Sequence, residues 1–146
     1  LKSKLLTITG LLCAGLITLN AADKKHLGGP GGGRYLEKTD PKAEFLVEKD
    51  KSVSINFYDT AGKRVPAANQ TVTVIAEAKA GKEKIEFQKK GDSLVSRTRL
   101  SEDDGYNVVV LFRQSPDAKP QNFRFKLDLH ACGECKRPEY SCICDE

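Results

Sequence analysis

From Glu44 onward the chain is written in short alternating runs, and this limits its fold more than any other feature. In "SVSINFYD", Val53, Ile55 and Phe57 fall on one side and Ser52, Ser54 and Asn56 on the other. Successive side chains of a strand point to opposite faces, so this is the pattern of a half-buried strand. "AEFLVEK" precedes it, and "TVTVIAEA", "KIEFQK", "SLVSRTRL", "YNVVVLFR" and "NFRFKLDLH" follow. "YNVVVLFR" is almost continuously apolar, as a central strand buried on both faces should be. Between the runs lie the turn signals "DTAGK", "KAGKE", "KKGD", "SEDDG" and "SPDAKP". No segment sustains the 3.6-residue apolar period of a helix.

About seven short strands at regular spacing predict an all-β fold, an antiparallel immunoglobulin-like β-sandwich over residues 44–130. Tyr106 follows a turn and opens the penultimate strand, the place of a tyrosine corner in such sandwiches. A chain of 146 residues suits one domain. The sandwich is expected to bury enough surface to fold without the segment that follows it.

The first residues follow another logic. Lys2 and Lys4 precede an apolar run from Leu5 to Leu19 and then Ala21 and Ala22. A positive start, an apolar middle and a small-residue end predict a secretory signal peptide over residues 1–22. The run is short for a membrane span, which needs about 20 residues, although a retained anchor is the alternative. Removal of the segment takes Cys13 with it, and the mature chain is expected outside the cytosol, in a bacterial periplasm, with no stable membrane insertion. Residues 23–43 contain "GGPGGG" and read as a flexible leader. No Gly-Lys-Ser/Thr follows these glycines, so a phosphate loop is not indicated. His26 reads as a solvated linker residue.

Composition removes several function classes. The formal net charge is +4 and the charges are interspersed, so no basic tract points to nucleic acid. The chain lacks the Gly-x-Ser-x-Gly elbow, His-Glu-x-x-His, a dinucleotide fingerprint and an EF-hand loop. With two histidines in all, one in the leader, no catalytic constellation assembles outside the terminal thiols, and the expectation is a protein that is not an enzyme.

Those thiols close the chain, in "HACGECKRPEYSCICDE". Cys132-x-x-Cys135 and Cys142-x-Cys144 are separated by six residues that include Pro138, and His130 lies just upstream. A tight turn aims the first pair at one point, and an extended Cys-x-Cys presents the second pair on one face. Four thiolates so arranged suit Zn(II), and their softness also suits Cu(I). Cys132, Cys135, Cys142 and Cys144 are therefore candidate ligands over the tail 131–146, with His130 as an optional further one. Lys136 stands where a zinc knuckle usually has glycine. Two other chemistries fit the spacing. Four cysteines in an exported chain often oxidise, here by cross-pairing the two halves, because bridging Cys142 to Cys144 is strained. A thiol redox couple at Cys132 and Cys135 is the third, without the thioredoxin-like βαβ pattern that usually carries it.

From "GGGRYLEKTDPKAEFLVEKDKSVSINFYD" to "KPQNFRFKLDLHACGECKRPEYSCICDE", the chain resembles small exported β-sandwich proteins, and N-terminal modules of periplasmic adaptors, that accompany bacterial heavy-metal efflux systems. The closing Cys-x-x-Cys-Lys and Glu-Tyr-x-Cys-x-Cys are its most specific part. The chain is too short to be such an adaptor, so the resemblance implies an accessory or a detached module in a metal-handling context, with an efflux adaptor or another periplasmic protein as partner. The alternative is an extracytoplasmic interaction module that binds another protein through its sandwich edges and carries a disulfide-linked tail.

Overall fold

The computed structural model describes residues 27–144; the expected signal segment 1–22, His26 and the last two residues lie outside the described residues. Nine strands follow one another: β1 (Arg34–Leu36), β2 (Lys42–Val47), β3 (Val53–Tyr58), β4 (Arg64–Val65), β5 (Thr71–Ala78), β6 (Gly81–Lys90), β7 (Ser93–Ser96), β8 (Tyr106–Arg113) and β9 (Gln121–Leu127). Every pairing is antiparallel. All seven expected runs carry strands. The two additional ones, β1 and β4, are three and two residues long, too short to show an alternation. Among the described residues no helix is long and apolar enough to cross a membrane.

The strands form one path, β1-β2-β3-β7-β6-β5-β8-β9, with β4 beside β3. The path folds back on itself at β6. Gly81–Glu86 pair with β5, whereas Phe87–Lys90 pair with β7. One ten-residue strand thus serves both layers of a nearly closed sandwich, which is how a sheet turns a corner without a break. The core fills from the predicted alternation: Phe45, Val53, Ile55 and Phe57 from one layer meet Val72, Val74, Val108, Val110, Phe112, Phe125 and Leu127 from the other. Tyr106 sits against its turn, with its hydroxyl 3.5 Å from the Ser101 carbonyl.

Two strands exchange their expected burial. All six residues of β3 are buried. Its outward polar side chains are covered by partners: Ser54 donates to Glu48, Tyr58 donates to Glu44, and Asn56 accepts from Arg64 and Ser93. β8 is central, between β5 and β9, but buries only Tyr106, Val108, Val110 and Phe112. Val109 and Leu111 are half-buried on the outer side. An apolar run does not report which face a neighbour covers, and polar side chains can be sealed when each finds a partner.

The leader is also revised where it is described. Its glycines and proline predict a flexible stretch, yet residues 27–43 contain β1 and the first residues of β2, and Gly29 and Gly33 are buried. The glycines close over Glu44, a carboxylate with 0% exposure. The Gly31 and Gly33 N–H groups both donate to Glu44 Oε1, at 2.8 and 3.0 Å, and the Tyr58 hydroxyl donates to Oε2 at 2.8 Å. A Cβ at Gly29 or Gly31 would collide with this carboxylate, so only glycine lets the backbone come so near. Burial, followed by the bond to Glu44, pushes the Tyr58 hydroxyl up to about 12.

Candidate metal centre

The chain leaves β9 and reverses at once. Cys132 N–H donates to the Arg137 carbonyl at 2.7 Å, Lys136 N–H donates to the Cys132 carbonyl at 3.1 Å, and Ala131 bridges Pro138. This small hairpin brings Cys132 and Cys135 to one side. It requires a left-handed residue after the second cysteine, and Lys136 supplies it with φ 63°. The glycine absent from the sequence is thus absent only as a side-chain choice. The backbone turn is made, and Lys136 Nζ donates to the Gly133 carbonyl at 2.6 Å across it.

Pro138 then leads into a single 3₁₀ turn, Glu139–Ser141. Glu139 and Tyr140 N–H donate to the carbonyls of His130 and Asp128, which ties the turn to the end of β9. Cys142 follows with φ −58° and ψ 142°, an extended conformation. Ile143 lies against Gly28, where a larger residue would strike it, while the sulfurs on either side face the first pair.

The tail is not a separate appendage, which revises the picture of a sandwich over residues 44–130 that is complete without the segment after it. Tyr140 is 3% exposed and belongs to the main core. Its ring stacks on Phe125 at 6.4 Å and meets the edge of Phe45 at 6.2 Å. Its hydroxyl accepts the Val47 N–H at 3.0 Å, and burial pushes that hydroxyl up to about 12. Arg34 donates to the Tyr140 carbonyl at 3.3 Å, Arg137 to the Gly29 carbonyl at 2.9 Å, and Ser141 to the Gly32 carbonyl at 2.8 Å. The glycine segment and the cysteine tail therefore build one end of the molecule together. A lone aromatic between two cysteine pairs is the only sequence signal for this anchoring, and Glu44 leaves none.

The four sulfurs converge. All lie within 4.8 Å of one another. Cys132 and Cys144 are 3.8 Å apart, Cys135 and Cys142 3.7 Å, and Cys132 and Cys142 3.5 Å. A zinc–sulfur bond of about 2.3 Å gives a tetrahedron with an edge of about 3.8 Å. A disulfide holds its sulfurs at about 2.05 Å. The sulfurs are not sorted into two close couples: Cys142 is near both Cys132 and Cys135, one from each possible cross-pair. Cys132 is buried and the other three are half-exposed.

Backbone N–H groups begin to organise the negative charge. Those of Ile143 and Arg137 act on the Cys135 sulfur and bring its thiol down to about 6. At Cys142 the Cys144 N–H acts downward, but the thiols of Cys132 and Cys135 together with burial outweigh it and the net shift is upward. Cys144 is held well above the ordinary thiol range by burial and by the other three sulfurs. Crowding by neighbouring sulfurs thus opposes ionisation at Cys142 and Cys144, and a cation among them would offset it.

The structure does not bring His130 into this group. Its Nδ1 lies 2.8 Å from Asp104 and 3.0 Å from Asp128, in a separate exposed cluster. The Asp128 hydrogen bond and the Asp104 charge raise its pKa. A comparison with protein-family models, one with curated proteins and one with solved structures each found no match for this chain.

Proposed function

We propose that this chain is an exported, non-enzymatic metal-binding protein whose immunoglobulin-like sandwich carries a four-thiolate centre for Zn(II) at one end, with Cu(I) as the softer alternative ion. The sulfur spacing carries this reading: separations of 3.5–3.8 Å are those of ligands around one tetrahedral ion. Cys132, Cys135, Cys142 and Cys144 would hold it, and the bound ion would supply the positive charge that lets all four thiols ionise. The strand order supports the fold assignment, since β2-β3-β7-β6 on one layer and β5-β8-β9 on the other follow the two sheets of an immunoglobulin domain. Export and a periplasmic place rest on the signal-like segment 1–22. A role in heavy-metal handling or efflux, with an adaptor or another periplasmic protein as partner, rests on the resemblance described above. Half-exposure of three cysteines leaves a path for the ion to be exchanged.

The test is the mass of the mature chain, purified anaerobically and measured native and denatured, with and without thiol alkylation. The expected result is one metal ion per chain and four alkylatable thiols after denaturation, with uptake lost in the Cys142→Ser/Cys144→Ser variant. Two readily formed bridges, Cys132–Cys144 and Cys135–Cys142, with no metal uptake by the reduced protein would establish the disulfide alternative instead.

A further inference from the structure

Oxidation reaches the four sulfurs unequally. Cys132 is buried, while Cys135, Cys142 and Cys144 are half-exposed and open to a small uncharged oxidant. Cys142 faces both sulfurs of the first pair, 3.5 Å from Cys132 Sγ and 3.7 Å from Cys135 Sγ. The Cys144 N–H points at the same sulfur from 3.4 Å. Closing either gap to a disulfide of about 2.05 Å moves the sulfurs together by about 1.5 Å, a shift that side-chain rotation can supply. An oxidised Cys142 thus meets a second thiol at once, on either side.

The backbone around these sulfurs is fastened without an ion. Tyr140, two residues before Cys142, is locked in the core, and its hydroxyl accepts the Val47 N–H. Ser141, next to Cys142, donates to the Gly32 carbonyl, and Arg137 ties the hairpin to the Gly29 carbonyl. The hairpin also closes on itself, through Cys132 N–H to the Arg137 carbonyl and Lys136 N–H to the Cys132 carbonyl. A module whose only support is its metal unfolds when the metal leaves. Here the anchors keep the sulfurs near one another after the ion has gone, so its release can be reversed.

We propose that the four-thiolate centre is a peroxide-responsive switch, in which oxidation joins Cys142 to Cys132 or Cys135 and releases the metal ion from a sandwich that stays folded. This rests on the metal-binding function proposed above and adds its regulation. The Cys142 thiolate attacks one oxygen of the peroxide, the O–O bond breaks, and the departing hydroxide takes a proton to become water. The sulfenic acid left on Cys142 is attacked by the Cys132 or Cys135 thiolate. The S–S bond forms, the S–O bond breaks, and the second hydroxide also leaves as water. Each sulfur gives up one electron and the peroxide takes both. Cys144 and one sulfur of the first pair remain as thiolates, two ligands where a closed zinc site has four. A dithiol reductant reverses the step by thiol–disulfide exchange and is itself oxidised to a disulfide.

The test treats the zinc-loaded protein with one equivalent of hydrogen peroxide beside a chromogenic zinc chelator. The expected result is release of the zinc and a fall from four alkylatable thiols to two, with both restored by reduction and fresh zinc. Peptide mapping should find Cys142 in the bridge, and the oxidised protein should keep its β-type circular dichroism and its cooperative thermal unfolding. In the reduced, metal-free protein, Cys142→Ser should slow bridge formation by at least about tenfold, whereas Cys144→Ser should still close a bridge at Cys142. Zinc retained by the oxidised protein, a first bridge without Cys142, an unchanged rate in Cys142→Ser, or loss of the β signal would each overturn the switch alone. A reduced protein that takes up no metal would overturn the metal-binding function and the switch with it.

Discussion

The two ends of the described chain meet at one end of the sandwich, and each builds a cradle of a different kind. The glycine segment aims backbone N–H groups at a carboxylate the chain itself provides, Glu44, and a tyrosine hydroxyl completes the shell. Every polar atom there has its partner, so the arrangement is closed and structural. The cysteine tail aims four sulfurs at a common point, where they meet one another and backbone N–H groups. Four such donors repel each other once ionised, and a cation is the partner that satisfies them. A cradle filled from within locks the fold; a cradle whose geometry is compatible with a metal ion can respond to one. Arg137 and Ser141 fasten the second cradle to the carbonyls of the first.

Substitutions that touch one cradle and spare the other test this contrast. The largest effect is expected at Tyr140, which joins the tail to the core. Tyr140→Ala should cost about 3–5 kcal/mol in denaturant unfolding, as other buried aromatic truncations do. Tyr140→Phe, which loses only the hydroxyl that accepts from Val47, should cost about 1 kcal/mol. An alanine variant as stable as the parent would mean that tail and core are independent after all.

A smaller loss is expected at Gly33. A Cβ there would strike the Phe45 carbonyl and Leu46 Cα, both backbone, so β1 must move away from β2. Gly33→Ala should destabilise by about 1–3 kcal/mol, the usual range for overpacking. Because the sulfurs lie elsewhere, the variant's metal stoichiometry by mass spectrometry should match the parent's. Loss of metal together with stability would show that the two cradles act as one.

The smallest effect has the opposite sign. Lys136 holds φ 63°, a conformation that costs a side-chain-bearing residue about 1–2 kcal/mol. Lys136→Gly relieves this but gives up the Nζ bond to Gly133. The expected net gain is about 1 kcal/mol in the metal-loaded protein, read as a higher thermal midpoint with unchanged stoichiometry. A lower midpoint would mean that the lysine's bond across the hairpin outweighs the strain.

The strands are legible in the sequence because alternation is a local property. Val53, Ile55 and Phe57 need no knowledge of their neighbours to declare a common face, and the same holds for Val72 and Val74. The cysteine spacing likewise places all four thiols in one group, because a short turn and an extended Cys-x-Cys need no help from distant segments. The burial of Ser54, Asn56 and Tyr58 is not legible, because it depends on Glu48, Arg64, Ser93 and Glu44 arriving from other segments. His130 misleads for a related reason. Its nearness to Cys132 in the chain suggests a ligand, but Asp104, from the turn before β8, holds its ring.

By itself, then, the sequence determined an antiparallel all-β chain with a two-plus-two thiol cluster at its end, through periodicities and spacings that act over a few residues. Only the tertiary structure decided that β6 turns the corner between layers, that the glycines enclose Glu44, and that Tyr140 enters the core. Ser141 finds the Gly32 carbonyl across 109 residues of chain. No local pattern encodes such a meeting, because it exists only once the sheet has folded back and brought the two ends of the described chain to one end of the sandwich.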